Sequence, residues 1–310
     1  MISPLLAAAI AFNLHSPVNA VTFSPDGRFL AAATRDGAVR TWTTQSLSTG
    51  APPREFRRHR ADVDTIAFSP DSSLLASSSY DGLVVIEGVR SGVTRRVISL
   101  RPAWSIALAF ASDSQLVIGT EPAGMLVYDV TTGKKLVSFT TGYEVYSLAV
   151  SPDRKHVAVA PGFIYDPNGT LVEELRGHHG QVFSMAFLDN DRLLTSSWNG
   201  TALIQSLSSK SILTTFATPA TLRETGPIGR VPVQVFYPIT SAVGYGDIVV
   251  TGSADHFVRC WDARSGALLQ SLAGASMTIT GVAVSRDGRW VAAGSADGVL
   301  RLWRSPCAPA

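Results

Sequence analysis

The segment VNAVTFSPDGRFLAAATRDGAVRTW, residues 18–42, recurs as VDTIAFSPDSSLLASSSYDGLVVIE at 63–87 and as ITGVAVSRDGRWVAAGSADGVLRLW at 279–303. Each copy alternates apolar and polar positions, meets a turn, and alternates again, which is the period-two pattern of half-buried strands joined as hairpins. The turns carry Pro-Asp-Gly, Arg-Asp-Gly, Tyr-Asp-Gly and Ala-Asp-Gly, residue types that accept the backbone angles of tight turns. Phasing on the last apolar residue of each first strand gives the anchors Phe23, Phe68, Phe110, Val150, Phe187, Phe236 and Val284, at intervals of 45, 42, 40, 37, 49 and 48 residues. Units of this size match four-stranded propeller repeats of about 40–45 residues. One such sheet cannot bury both of its faces alone, whereas seven arranged radially bury them against each other around a channel. The expected fold is all-β, a seven-bladed β-propeller of four-stranded antiparallel blades.

A length of 310 residues would by itself suggest two domains of about 150 residues each. The repeat count instead predicts one closed domain over 1–310. Charged residues make up only 16% of the chain, against about 25% in an average protein. Strands buried between neighbouring blades account for that deficit. The net charge of +2 argues against a nucleic-acid partner, which would call for a concentrated basic face. No apolar run reaches the roughly 18 residues of a membrane span, so no membrane partner is expected. Cys260 and Cys307 are the only cysteines, too few for a disulfide framework or a cysteine-based zinc site. The N-terminal stretch has no basic residue before Arg28, unlike a secretory leader. The expected location is therefore cytoplasmic or nuclear.

These residues resemble the WD-repeat family along essentially the whole chain. Asp36 to Trp42, Asp255 to Trp261 and Asp297 to Trp303 each span six residues, Trp261-Asp262 is a literal Trp-Asp, and Gly177-His178 is a Gly-His pair. The resemblance implies a buried hydrogen-bonded set of His, Ser or Thr, Asp and Trp within a blade. In the first unit the set would be His15, Thr34, Asp36 and Trp42. His59 and His178 take the histidine position in units two and five. Ser253, Asp255 and Trp261 serve unit six, and Ser295, Asp297 and Trp303 serve unit seven. Residues 278–304 supply only three strands, so by resemblance residues 5–14 complete the last blade and close the ring. Closure removes the exposed sheet edges that invite aggregation.

Several units depart from the pattern. The fourth is compressed, with almost no loop between its second and third strands. Glu87 and Gln205 stand in the Trp slots of units two and five, and Pro122 in the Asp slot of unit three. These blades are expected to lack the buried set and to hold by apolar packing. Two long loops are expected in unit six, 218–230 on the face the family uses most for partners and 237–247 on the opposite face.

The resemblance also carries partner contacts at two offsets on one face. The residue before the turn Asp gives Arg35, Tyr80, Glu121, Trp198, Ala254 and Ala296, and the residue after the first apolar position of the inner strand gives Asn19, Asp64, Tyr146, Phe183 and Thr280. Unit three cannot be placed at the second offset. Exposed aromatics of this kind anchor interfaces, with Arg35 and Arg223 or Arg230 adding polar contacts, while the alternative is that they pack between blades. The function implied is a non-catalytic scaffold that presents a rigid face to a protein or peptide partner within a larger complex. Trp261-Asp262-Ala263-Arg264 also matches a short pattern of substrate receptors of cullin-type ubiquitin ligases, with Arg264 facing the adaptor. A third possibility is an enzyme or small-ligand binder at the channel mouth.

No nucleophile, zinc-protease or phosphate-loop motif is present, and neither cofactor nor metal is expected. His178-His179 nominates no further metal ligands. The run Arg54, Arg57, Arg58, His59, Arg60 reads as an anion site or, with fewer assumptions, as a solvated outer strand. Asn168-Gly-Thr and Asn199-Gly-Thr fit a glycosylation pattern, but both stand where tight turns are due.

Overall fold

A computed structural model describes residues 6–7, 10–122, 124–219, 221–225, 231–304 and 307. Seven four-stranded antiparallel sheets follow one another around a ring. Blade one runs from its innermost strand Val18–Phe23 through Phe29–Thr34 and Ala38–Thr43 to the outermost strand Arg54–Arg57. The innermost strands of blades two to seven are Val63–Phe68, Trp104–Phe110, Leu148–Val150, Val182–Phe187, Ile239–Tyr245 and Ile279–Val284. The only helix among the described residues is the single turn Thr44–Leu47. None is therefore long and apolar enough to cross a membrane.

Alternation on each strand sends apolar side chains to both neighbouring blades. Between blades seven and one, for example, Val18, Leu30, Trp42, Leu300 and Leu302 form one buried cluster. Each fully buried Val, Leu or Ile contributes about 1.5–3 kcal/mol. The turn Asp36-Gly37 shows why glycine is needed between the second and third strands. Gly37 has φ +80°, and a Cβ there would lie 2.7 Å from the His59 carbonyl oxygen.

The N-terminal segment closes the ring, but not as one strand over 5–14. Ile10–Asn13 pairs antiparallel with the third strand of blade seven, Ile10 opposite Leu302 and Asn13 opposite Val299. Phe12 packs on Trp42 of blade one at 5.2 Å between ring centroids, so the closing strand joins first and last blades. Leu6–Ala7 instead pairs parallel with the outermost strand of blade six, Leu268–Ala273. Residues 5, 8 and 9 lie outside the described residues.

Blade six corrects the repeat phasing. Its innermost strand is Ile239–Tyr245, so 237–247 is mainly strand and not a loop. Phe236 lies outside that strand and is 47% exposed. The anchor position belongs to Gly244, which pairs with Val249 as Val284 pairs with Val291. Leu188 fills the space that a side chain at Gly244 would occupy, and this is why the apolar period is broken there. The other expected loop, 218–230, holds the first strand of a β-hairpin that runs beyond it, Thr221–Thr225 with Val231–Val235, and 226–230 lies outside the described residues.

Cys260 and Cys307, unpromising as a framework by number, are joined by a disulfide with Cα atoms 5.6 Å apart. The bond ties the segment after blade seven to the third strand of blade six.

Candidate functional site

The polar interior of each blade positions the loops above it. In blades one, six and seven the acceptor Asp is held by an Arg four residues later. Arg40 reaches Asp36 at 2.8 Å, Arg259 reaches Asp255 at 2.6 Å and Arg301 reaches Asp297 at 2.8 Å. All three guanidiniums are buried. His15 is not part of the first set, because it is exposed at φ +56°. Arg40 takes its place, donating to both Thr34 and Asp36, while Ser16 accepts the Asp36 amide at 3.0 Å.

Blades two and five keep buried sets, contrary to expectation. His59 Nε2 lies 2.9 Å from Ser77 Oγ, and its Nδ1 lies 3.3 Å from Asp81. Glu87, in the Trp slot, pairs with Arg58 at 2.9 Å. His178 Nε2 lies 2.8 Å from Thr195 Oγ1, and Asn199 accepts from Thr201. Histidine and arginine are thus alternative ways to hold one turn, and a set has one or the other. The signal in the sequence was Asp-x-x-x-Arg in all three copies whose buried set lacks a histidine.

The Trp slots differ in their partners. Trp261 Nε1 donates to Thr251 at 2.8 Å. Trp42 Nε1 is buried without a partner among the described residues, since Ala32 stands where Thr251 stands in blade six. Register places Tyr128 and Tyr165 in the slots of blades three and four. Gln205 donates to the Arg176 carbonyl at 3.0 Å, and beside it opens a cleft of ≈ 300 Å³ lined by Leu175 and His178. Burial lowers the His178 pKa to about 4, and it also lowers that of His59 against the opposing influence of Asp81.

A ring of seven residues surrounds one mouth of the channel. Asn19, Asp64, Ile106, Tyr146, Phe183, Thr240 and Thr280, one per blade, all line a cavity of ≈ 230 Å³. Six of them are the extra residue of a bulge near the start of the innermost strand, after the first residue pair in five blades and after the second in blade three. A bulge re-aims a side chain, here toward the channel. The structure supplies Ile106 for the blade that could not be placed and Thr240 for the blade that was mis-phased. Some of these groups already bridge blades. Asn19 donates to Val63 O at 3.0 Å, Thr240 to Ile279 O, and Thr280 to Val18 O.

On the same side, the residue before each second turn leaves the sheet. The amides of Arg35, Tyr80, Trp198, Ala254 and Ala296 donate to the chain just ahead of the innermost strand, as Trp198 does to Gln181 O at 2.9 Å. Trp198 is 60% exposed and Tyr80 51%. Phe183 lies beside Trp198 at 5.8 Å and Trp104 beside Tyr80 at 6.3 Å. Tyr143 and Phe236 are further exposed aromatics. Tyr143 sits in the loop before blade four, where strand periodicity is silent, and Phe236 was misread as a strand anchor. A cleft of ≈ 450 Å³ opens between Tyr143, Tyr146 and Gln181. Nothing is described for the side chain of Arg223, and Arg230 lies outside the described residues.

Carboxylates lie among these aromatics. Burial and the neighbouring Asp62 push the Asp64 pKa up to about 6 against the pull of Arg35. Burial, then Glu144, raises that of Glu121. Arg35 pairs with Asp62 at 3.8 Å.

Other candidates are placed plainly. Arg264 is exposed and pairs with Asp247 at 2.9 Å. Arg54 donates to two carbonyls of blade two, and Arg57 pairs with Asp36 and Glu55. Most of the basic run is therefore spent within the fold. Asn168 is exposed in a turn, while Asn199 is engaged by Thr201.

The pattern "WD domain, G-beta repeat" matches residues 9–43, 50–86, 169–204, 233–262 and 266–304. The chain belongs to the WD-repeat family. The longest unmatched span, 87–168, covers blade three and most of blade four, the units without the Asp and Trp landmarks. Comparison with curated proteins finds no match. Propellers of this family typically mediate protein interactions without catalysing a reaction.

Proposed function

We propose that this protein is a non-catalytic interaction scaffold whose 310 residues act as one domain. It docks a protein or peptide on the face bearing Tyr80, Tyr146, Phe183 and Trp198, and works within a larger complex. The observation that carries this reading is the 60% exposure of Trp198 beside Phe183, on a face with three exposed tyrosines. Large exposed aromatics are the usual anchors of interfaces. Asn19 and Thr280 contribute rigidity at the channel rim, and Asp64 and Arg35 contribute polar contacts. The bulges and turn hydrogen bonds hold these side chains before a partner arrives, so little conformational entropy is lost on binding.

The test is affinity capture with mass spectrometry, comparing the parent with Trp198→Ala/Tyr146→Ala. The double variant is expected to lose the captured partners while melting at nearly the parent temperature. Capture of the same proteins by both forms, with a large drop in melting temperature, would mean that these aromatics serve blade packing instead.

A further inference from the structure

The opposite mouth of the channel has a different chemistry. The innermost strands end there, and their last side chains form an apolar funnel of ≈ 820 Å³. Phe23, Phe68, Phe110 and Phe187 line it together with Val150 and Val284, and Arg154 and Arg286 belong to the same lining. The volume falls within the range of ligand sites of about 300–1,000 Å³.

No carboxylate is among the residues lining the funnel. Asp26, Asp71, Asp153 and Asp287 belong to the same turns, but each accepts its own turn serine, at 2.6, 2.6, 2.7 and 2.6 Å, and a backbone amide two residues on. The Arg154 side chain makes no hydrogen bond or ion pair among the described residues, and Arg286 donates only to the Pro25 carbonyl at 3.2 Å. Two guanidiniums from blades four and seven, nearly opposite in the ring, thus stand beside this cavity without a carboxylate partner among the described residues. Guanidinium groups pair with carboxylates through strong charge-assisted bonds, and phenylalanine walls favour bulky apolar groups.

We propose that this funnel is a second docking site, for a partner segment that inserts bulky apolar side chains and flanks them with Asp or Glu. It is independent of the aromatic face, so either site can fail without the other. The occupant is a peptide rather than a small amphiphile, because two cations on opposite sides suit carboxylates spaced along a chain.

The experiment is fluorescence anisotropy with the full chain and a fluorescein-labelled peptide whose core is Glu-Phe-Phe-Glu. Companion peptides carry Lys for Glu or Ala for Phe, and decanoate serves as the small-amphiphile probe. Saturable binding of the first peptide is expected, with no saturable binding of either companion. Arg154→Glu and Arg286→Glu are exposed changes and should each weaken it about tenfold. Trp198→Ala/Tyr146→Ala should leave it unchanged. Thermal melts establish that the charge-reversed proteins are folded. Equal binding of the Lys peptide, an unchanged Kd in both charge-reversed variants, or absence of saturable binding would overturn the proposal. So would saturable binding of decanoate without binding of the peptide.

Discussion

Replacing Arg301 with Met removes one half of a buried ion pair and leaves the volume of the side chain largely in place. Arg301 and Asp297 meet through two hydrogen bonds, at 2.8 and 3.0 Å, with side chains 10% and 8% exposed. Breaking such a pair strands a buried charge and costs about 3–5 kcal/mol. With an unfolding entropy of about 2.1 cal/mol/K per residue, that corresponds to a melting temperature lower by about 5–8 °C. Asp297 also accepts the Ser276 amide and hydroxyl and the Val299 amide, which asparagine can retain in part. Arg301→Met/Asp297→Asn should therefore melt above the single variant, because no charge is left stranded.

The pH dependence adds a second signature. Burial alone would raise the Asp297 pKa, but the hydrogen bonds from Arg301, Ser276 and Val299 hold it well below the ordinary value. Its stabilisation is thus present above the unfolded pKa of about 3.8 and is lost only as pH falls toward the folded one. In Arg301→Met the carboxyl loses its main partner, its folded pKa rises, and protonation relieves the penalty as pH falls. The melting gap between parent and variant should narrow from pH 7 to pH 4. Differential scanning fluorimetry across that range measures it. A single variant within 1 °C of the parent, or a double variant melting below the single, would refute the reasoning.

Three further outcomes follow from the same geometry. Cys307→Ala opens a cross-link spanning 47 residues. The chain-entropy relation assigns it about 4 kcal/mol, read by urea unfolding under non-reducing conditions, where the parent should show no titratable thiol. Deleting residues 1–13 removes the closing strand and uncovers both Trp42 and the edge of blade seven. The product should melt lower or self-associate in size-exclusion chromatography, and a monomer with the parent melting temperature would count against the closure. Asp64, with a folded pKa raised to about 6, weakens the fold as pH rises through the interval from about 3.8 to 6. Asp64→Asn should raise the melting temperature at pH 7.5 and leave it nearly unchanged at pH 4.

The strand repeat was readable because alternation on the partly exposed strands and the turn residues between strands are local properties of the sequence. Phasing failed only where the anchor became Gly244, whose role is taken by Leu188 from blade five. Among site residues, Asn19, Asp64, Phe183 and Thr280 were readable because each follows the first apolar residue of an inner strand. Ile106 resembles the core around it in type, and so carried no mark of its place at the channel. The buried sets were half legible. Asp36, Asp255 and Asp297 stood out, but that a guanidinium from strand three replaces a histidine from the preceding loop depends on which side chain reaches the turn.

The sequence by itself determined the number of blades, their strand order and the turn chemistry between strands, since these rest on residue spacing and backbone preference. The tertiary structure decided what no spacing records. It joined Cys260 to Cys307 across two blades, divided the N-terminal segment between blades six and seven, and gathered one bulged or loop residue per blade around a channel. It also gave that channel two unlike mouths, one rimmed by aromatics and carboxylates and the other lined by phenylalanines and arginines. These features come from residues far apart in the chain, and only closure of the ring brings them within contact distance.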